Sequence, residues 1–210
     1  GSPIDMLLEM SKYVTMIVMG SRGLGGLSGM VMGSVSAAVV SHAHCPVVVV
    51  RGDNPVTEDT KYGPVVVGVD GSGVSQKAIE YAFAEASARE CELIAVHTWM
   101  DMQIQASLAG LSAAQQQWKI VEEEQNMLLG HRLAGYAERY PDVQVTRVVT
   151  RDRPVRALVD AAKGAQLLVV GSHGRGGFKG MLLGSTSRAL LQSAPCPMMV
   201  VRPDSDAKAH

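Results

Sequence analysis

The 210-residue sequence has few cysteines, almost no net charge and no long apolar run, and each shortage excludes a class of protein. Three cysteines without a C-x-x-C pair or Cys/His ligand spacing argue against both a disulfide scaffold and a zinc site. A formal net charge of −1 gives no general electrostatic reason to bind nucleic acid or an anionic membrane. No stretch approaches the roughly 18 apolar residues that a membrane-spanning helix requires. We therefore expect a globular cytoplasmic protein without nucleic-acid or membrane partners.

Several well-known phosphate-binding signatures are missing as well. The sequence contains no G-x4-G-K-[ST] loop of the Walker A type, and no G-x-G-x-x-G follows a strand. Neither H-x-G-H nor S-G-G-x-D-S occurs, which argues against nucleotidyl transfer of those types. Asp70 follows an apolar run without an acidic neighbour, unlike the phospho-acceptor of a receiver domain. Any phosphate site must therefore be of another kind.

The chain does contain an internal repeat. The pattern G-x2-G-x9-G-S occurs twice, each time after an apolar run, and a constant shift of 151 residues relates Gly20 to Gly171. The same shift relates the Cys-Pro pairs at 45–46 and 196–197, which precede the last apolar run of each copy. A fixed shift over this length indicates a duplicated domain.

The two copies differ in length. Under the shift, the counterpart of Asp70 would lie at position −81 (70 − 151), so we expect the chain to begin inside the first repeat. The predicted parts are the C-terminal half of a first domain at 1–51, a polar linker at 52–63, a complete second domain at 64–203 and a tail at 204–210.

Apolar runs and helical periodicity alternate along both copies. Most of the runs are uninterrupted, which is typical of parallel strands buried on both faces. The predicted strands are Thr15–Met19, Val47–Val50, Pro64–Val69, Glu92–Thr98, Val143–Val149, Leu167–Val170 and Met198–Val201, and the predicted second-domain helices are Ser75–Arg89, Ser112–Arg139, Pro154–Lys163 and Ser185–Gln192. On the long helix, a stripe from Trp118 to Tyr140 that includes Leu128 should face the core. The second domain is therefore predicted to be α/β, with a doubly wound five-stranded parallel sheet.

The second glycine motif lies where open α/β sheets bind ligands, after a strand and at the reversal of winding. Asp70 and Gly171 both follow strands, and they share one crevice if the first and fourth strands are neighbours. Ser185, Thr186 and Ser187 begin the next helix, whose free N–H groups suit phosphate oxygens and whose hydroxyls can donate further hydrogen bonds. A glycine loop followed by an ordinary Ser N-cap would give the same pattern without a ligand.

With Val-Asp-Gly-Ser after the first strand and G-x2-G-x9-G-S after the fourth, the sequence resembles the universal stress protein family, in its tandem-domain, ATP-binding branch. The resemblance implies an adenine nucleotide alpha hydrolase-like fold that binds ATP or AMP, with Mg²⁺ held by the phosphates and not directly by the protein. The implied nucleotide-binding residues are Asp70, Gly71, Ser72, Thr98, Val170, Gly171, His173, Gly174, Arg175, Gly184, Ser185, Thr186 and Ser187.

The resemblance also implies how the nucleotide would lie. Asp70 would contact its ribose or adenine end, and the backbone of Thr98 would contact the adenine. Val170 and Gly171 would flank the ribose, while residues 184–187 and the preceding loop would surround the phosphates.

The first copy retains part of the same motif. Its matching residues are Gly20, Gly23, Gly33, Ser34, Val35 and Ser36. It lacks the Asp and the second strand that precede the motif in the complete copy, so we expect this half-site to bind nucleotide weakly unless another chain completes it. The final strands at 47–50 and 198–201 are short, apolar and expected at sheet edges, which predicts repeat-to-repeat pairing or a homodimer.

Three functions agree with these patterns. The first is a nucleotide-binding protein of stress response and growth control, whose conformation, association or choice of an unknown regulatory partner depends on the nucleotide. The second is a slow ATPase in which Asp70 or His173 positions water and Arg175 stabilises phosphate charge. The third is an interaction scaffold with a vestigial nucleotide site, against which the intact helix start at 184–187 argues.

Overall fold

The computed structural model describes residues 1–21, 32–52, 58–99, 111–175 and 182–203, and within these ranges helices and strands alternate along the chain. The helices are α1 (Pro3–Met10), α2 (Ser34–His42), α3 (Glu58–Lys61), α4 (Gly73–Ala88), α5 (Leu111–Arg139), α6 (Pro154–Ala161) and α7 (Ser185–Ser193). The strands are β1 (Ile17–Gly20), β2 (Val47–Val50), β3 (Val65–Gly68), β4 (Leu93–Thr98), β5 (Val145–Thr150), β6 (Leu167–Gly171) and β7 (Met198–Val201).

All of these strands form one 7-stranded sheet in the order β1-β2-β7-β6-β3-β4-β5. The strands of the second repeat, β3 to β7, are mutually parallel. The chain first moves outward from β3 to β4 and β5, then crosses back to β6 and β7, so the direction of winding reverses between β3 and β6. This arrangement confirms the predicted doubly wound α/β fold, and it places the ends of β3 and β6 side by side.

The two repeats meet where β2 pairs antiparallel with β7, with Val48 opposite Met199. Met199 is fully buried and Val48 nearly so. The predicted repeat-to-repeat pairing through the final strands is therefore confirmed, and neither strand lies at a sheet edge, because each covers the edge of the other within the same chain. At this seam, Nη1 of Arg51 donates a hydrogen bond to the main-chain carbonyl of Gln192.

Helices cover both faces of the sheet, and each face has its own apolar core. Val40 of α2, Leu158 of α6 and Leu190 of α7 belong to one core. Phe83 of α4 and Leu129 of α5 belong to the other. Since α2 of the first repeat shares a core with α6 and α7 of the second, the first repeat packs as part of the same body.

The long helix α5 faces the core along most of the predicted stripe. Leu129 is fully buried, and Phe83 of α4 stacks on Tyr136 and Tyr140 with ring centroids 5.8 and 5.9 Å apart. Leu128 is an exception to the prediction, with 39% of its surface exposed. Successive helical residues are rotated by about 100°, so the neighbour of buried Leu129 lies on the flank of the helix.

The segment predicted as a linker is partly helical. Residues 58–61 form α3, a single turn that is too short to show apolar periodicity in the sequence. Residues 53–57 of the predicted linker and the predicted tail at 204–210 lie outside the described residues. Within the described ranges, none of the helices is both long and apolar enough to cross a membrane.

The three cysteines are free thiols. Cys45 and Cys196, which correspond under the repeat shift, are buried, whereas Cys91 is half-buried. Burial raises the pKa of the Cys196 thiol to about 12. At neutral pH this thiol is therefore protonated and behaves as a small apolar side chain.

Candidate functional site

A cavity of about 500 Å³ opens at the carboxyl ends of β3 and β6, where the winding reverses. This volume lies within the usual range of small-molecule sites, roughly 300–1,000 Å³. The predicted residues that line the cavity are Asp70, Thr98, Val170, Gly171, His173, Gly174, Arg175, Gly184, Ser185, Thr186 and Ser187. The fold thus brings together residues that are more than 100 positions apart in the sequence.

Gly71 and Ser72, which were also predicted as site residues, do not line the cavity. The Ser72 hydroxyl accepts a hydrogen bond from the Ser75 N–H at 3.2 Å and caps α4. Gly71 has a φ of +80°, a conformation that favours glycine, and its N–H donates to the Ser75 hydroxyl at 3.0 Å. These two residues form the turn that positions Asp70.

The Asp70 carboxylate links β3 to the loop after β6. Its Oδ1 accepts hydrogen bonds from the Ser72 N–H at 2.9 Å and the Ser72 hydroxyl at 2.7 Å, and its Oδ2 accepts one from the Arg175 N–H at 3.0 Å. Burial raises the pKa of Asp70, but the hydrogen bonds from Ser72 and Arg175 outweigh burial and hold the pKa below its usual value. The carboxylate is therefore ionised at neutral pH.

Helix α7 begins at the cavity without a side-chain cap. Its N-cap residue is Gly184, and no side chain of the described residues bonds its first N–H groups. The Gly184 N–H donates to the Ser172 carbonyl at 2.7 Å, and the Ser187 hydroxyl donates to the Gly171 carbonyl at 2.7 Å. The Ser187 hydroxyl hydrogen is thus already donated within the protein. The positive end of α7 nonetheless faces a cavity, which suits an anionic group.

Two glycines of the motif are in close contact with their neighbours. A Cβ on Gly174 would overlap the Asp70 carboxylate, and a Cβ on Gly184 would lie 3.2 Å from the Cα of His173. The latter contact is with main chain, which has little freedom to move. The glycines therefore let the loop after β6 lie directly against both β3 and the start of α7.

An apolar wall opposite α7 was not predicted. The residues that complete the cavity are Gly68, Val69, Ser75, Val96, Pro154 and Leu158. A Cβ on Gly68 would lie 3.2 Å from Cδ1 of Leu158, so Leu158 packs directly against the end of β3. The amphipathic pattern of α6 could have indicated that Leu158 faces the sheet, but not which strand it would meet.

His97 fixes the strand that carries Thr98. This buried side chain donates from Nδ1 to the Val69 carbonyl at 2.6 Å, and its Nε2 lies 3.0 Å from Oε1 of Gln125 in α5. The imidazole therefore connects β4 to the end of β3 and to the helix above them. Thr98 is held at the edge of the cavity by this link and by its pairing with Thr150.

A second guanidinium group was also missed by the sequence analysis. Arg132 extends from α5 to the Asp70 turn, where it meets Arg175: a Cβ on Gly71 would overlap the Nη2 atoms of both side chains. Burial, and then the charge of Arg175, lower the pKa of Arg132, while Asp70 opposes this shift. No sequence motif marks Arg132, because its position depends on how α5 packs across the sheet.

The described part of the first repeat builds the same local structure away from this cavity. The Ser36 hydroxyl donates to the Gly20 carbonyl at 2.9 Å, and the Gly33 N–H donates to the Ser21 carbonyl at 2.7 Å. These are the counterparts of the two bonds at the start of α7. Of the predicted first-repeat residues, Gly20, Gly33, Ser34, Val35 and Ser36 are absent from the cavity lining, and Gly23 lies outside the described residues.

The fold and the cavity define a doubly wound α/β protein with a ligand site at the reversal of winding. A family model described as the universal stress protein family matches residues 1–51 and 61–202. The chain therefore belongs to the universal stress protein family, and this membership supports a role in stress response.

Curated relatives of high identity are mycobacterial. The universal stress protein Rv2005c of Mycobacterium tuberculosis is 49% identical over 201 residues, which are 96% of this chain and 66% of that protein. A universal stress protein of Mycolicibacterium smegmatis is 47% identical over 197 residues, which are 94% of this chain and 65% of that protein. The chain thus spans about two thirds of the length of these relatives.

Solved structures agree with the fold. A universal stress protein from Archaeoglobus fulgidus matches with a TM-score of 0.64 and 24% identity, covering 98% of this chain and 67% of that chain. The universal stress protein UspA from Lactobacillus plantarum matches with a TM-score of 0.58 and 21% identity, covering 67% of this chain and 98% of that chain. At these identities the likeness shows the fold.

Proposed function

We propose that the cavity binds an adenine nucleotide, ATP or AMP, and that binding regulates the conformation or association of this cytoplasmic protein in stress response and growth control. The observation that carries the proposal is the uncapped start of α7, which faces a cavity with an apolar opposite wall. A nucleotide has the matching shape, with an anionic chain at one end and a flat, largely apolar base at the other.

The two ends of the nucleotide would have different binding surfaces. The phosphates would accept hydrogen bonds from the first N–H groups of α7 and from Ser185 and Thr186, where the helix dipole favours negative charge. The base would lie in the part of the cavity lined by Val96 and Leu158, near Thr98. Mg²⁺ would be held by phosphate oxygens, because the oxygens of Asp70 already accept protein hydrogen bonds.

Isothermal titration with Mg-ATP, AMP and adenosine tests the proposal. Gly184→Asp should abolish ATP and AMP binding, because the new side chain presses on His173 and puts a negative charge at the phosphate position. The matched control is Gly33→Asp, the same change at the equivalent position, which should leave binding intact. Full-strength binding by Gly184→Asp, with the fold retained by circular dichroism, would exclude the proposed phosphate site.

The number of nucleotides per chain tests the half-site of the first repeat. We expect about one nucleotide per chain, since only the second repeat forms the described cavity. Mass spectrometry of ligand released from denatured protein gives both its identity and its stoichiometry. Two nucleotides per chain would contradict the incomplete half-site, and a protein that stays empty in millimolar Mg-ATP would favour the scaffold function.

The cavity supports binding more than fast turnover. Among the described residues that line it, Asp70 is the one carboxylate, and its oxygens are occupied. We therefore expect ATP hydrolysis to be slow or absent, which single-turnover phosphate release measures. A regulatory role further predicts that Mg-ATP changes self-association, and light scattering with and without nucleotide would detect the change.

A further inference from the structure

The arginines beside Asp70 bring two positive charges unusually close together. Nη2 of Arg132, from α5, and Nη2 of Arg175, from the loop after β6, both occupy the space that a Cβ on Gly71 would take. Gly71 has no side chain that could lie between the two guanidinium groups. Two guanidinium groups in such proximity repel each other, so the arrangement is stable only with nearby negative charge.

Asp70 does not fully supply that charge. Its oxygens accept hydrogen bonds from Ser72 and from the main chain of Arg175, and among the described residues no carboxylate lies within ion-pair distance of either guanidinium group. Nη1 of Arg132 is buried and has no hydrogen-bond partner. Burial and the charge of Arg175 also lower the pKa of Arg132, as expected of a cation without its counterion.

The two arginines adjoin the proposed phosphate site, because the chain from His173 to Arg175 runs between them. His173, Gly174 and Arg175 form one short segment: the Cα of His173 lies beside Gly184 at the start of α7, and Gly174 lies against Asp70. Both His173 and Arg175 line the cavity. A phosphate chain that leaves the start of α7 along this segment would meet Arg175 first, with Arg132 next to it just outside the residues that line the cavity.

We propose that Arg132 and Arg175 form a second anion site at the rim of the cavity, which binds the terminal phosphates of a nucleoside triphosphate. The inference rests on the proposed nucleotide function and deepens it, because it assigns a preference among nucleotides. The first phosphate contacts α7 in every nucleotide, whereas the terminal phosphates alone reach the arginine pair. Affinity should therefore increase with the number of phosphates.

Titration of wild type, Arg132→Gln and Arg132→Lys with Mg-ATP, AMP and adenosine tests this site. A charged hydrogen bond commonly contributes a factor of about ten or more to affinity, so Arg132→Gln should weaken ATP binding about tenfold. It should change AMP and adenosine binding less than about twofold, and Arg132→Lys should recover part of the ATP affinity by keeping the charge. Arg139→Gln is the matched control, because Arg139 lies on the same helix, is exposed and pairs with Glu80.

The outcomes separate this inference from the proposed function. If the wild type binds ATP and Arg132→Gln leaves the ratio of ATP to AMP affinity unchanged, the second anion site is wrong and the nucleotide site stands. If the wild type binds no adenine nucleotide, the proposed function fails, and inorganic tripolyphosphate tests the arginines alone. Thermal stabilisation by tripolyphosphate that is lost in Arg132→Gln supports the site, and equal stabilisation of both proteins overturns it.

Discussion

Replacing Ser187 with alanine should reduce both stability and nucleotide affinity. The Ser187 side chain is 4% exposed, and its hydroxyl donates a 2.7 Å hydrogen bond to the Gly171 carbonyl at the end of β6. A hydrogen bond of this kind contributes about 1 kcal/mol net, and a buried acceptor left without its partner costs somewhat more, so we expect a loss of about 1–2 kcal/mol. Urea denaturation should show a lower midpoint with an unchanged slope.

The effect of Ser187→Ala on affinity should be indirect. Because the hydroxyl hydrogen is donated to Gly171, we expect Ser187 to position α7 without itself donating to a phosphate. We expect Mg-ATP affinity to fall about threefold to tenfold, or roughly 0.7–1.4 kcal/mol, as the start of the helix becomes less well positioned.

The first repeat provides the control for this experiment. Ser36 is also 4% exposed, and its hydroxyl donates to the Gly20 carbonyl at 2.9 Å. Ser36→Ala should therefore cost a similar free energy of unfolding but leave Mg-ATP affinity unchanged. Equal losses of affinity in both variants would refute the reasoning, because they would show that the start of α7 has no special relation to the ligand.

Other perturbations test the core, the thiols and the cavity. Phe83→Ala should lower the free energy of unfolding by about 3–5 kcal/mol, because the ring is fully buried and stacked on two tyrosines; a loss below 1 kcal/mol in urea denaturation would contradict this packing. Iodoacetamide should label half-buried Cys91 before buried Cys45 and Cys196 in the native protein, and peptide mapping by mass spectrometry gives the order. The lowered pKa of Asp70 adds stability above its unfolded pKa of about 3.9, and this stability is lost as the pH falls through the lower folded pKa. Asp70→Asn should remove that part of the acid dependence of thermal unfolding, and an unchanged profile would argue against the hydrogen bonds to this carboxylate.

Strand positions were predictable because their signal is local. The runs at Val47–Val50 and Met198–Val201 are apolar on both faces, and the structure has strands with these same limits. The bounds of helices shifted by a few residues where a cap decides them: α4 begins at Gly73 because Ser72 caps it, two residues before the predicted start. What the local pattern left open was whether the last two strands pair within one chain or between two chains, and their pairing within the chain places both in the interior of the sheet.

The cavity was predictable to the extent that it follows strand ends. Gly171 ends β6 and Asp70 follows the end of β3, and the reversal of winding brings such strand ends together whatever the side chains are. Leu158 and Arg132 belong to helices that cross the sheet, and Leu158 reaches the cavity and Arg132 the adjacent turn at Gly71 only because of where those helices lie. Short-range motifs therefore identify the phosphate end of a site in this fold better than the walls around it.

The two repeats share the glycine motif but differ in the elements that surround it. Gly33 and Ser36 reproduce the hydrogen bonds of Gly184 and Ser187, so the local start of the helix is the same in both. Around α7, however, β3 and β4 continue the sheet and α6 closes the opposite side, whereas among the described strands nothing lies beyond β1 at the equivalent side of the first repeat. The start of α2, exposed on one side, would attract a phosphate only through charge that solvent screens. The start of α7 has an apolar wall and two arginines nearby. Affinity should therefore depend on those surrounding elements, so Leu158→Asp should weaken adenosine and ATP alike, whereas Arg132→Gln should weaken ATP alone.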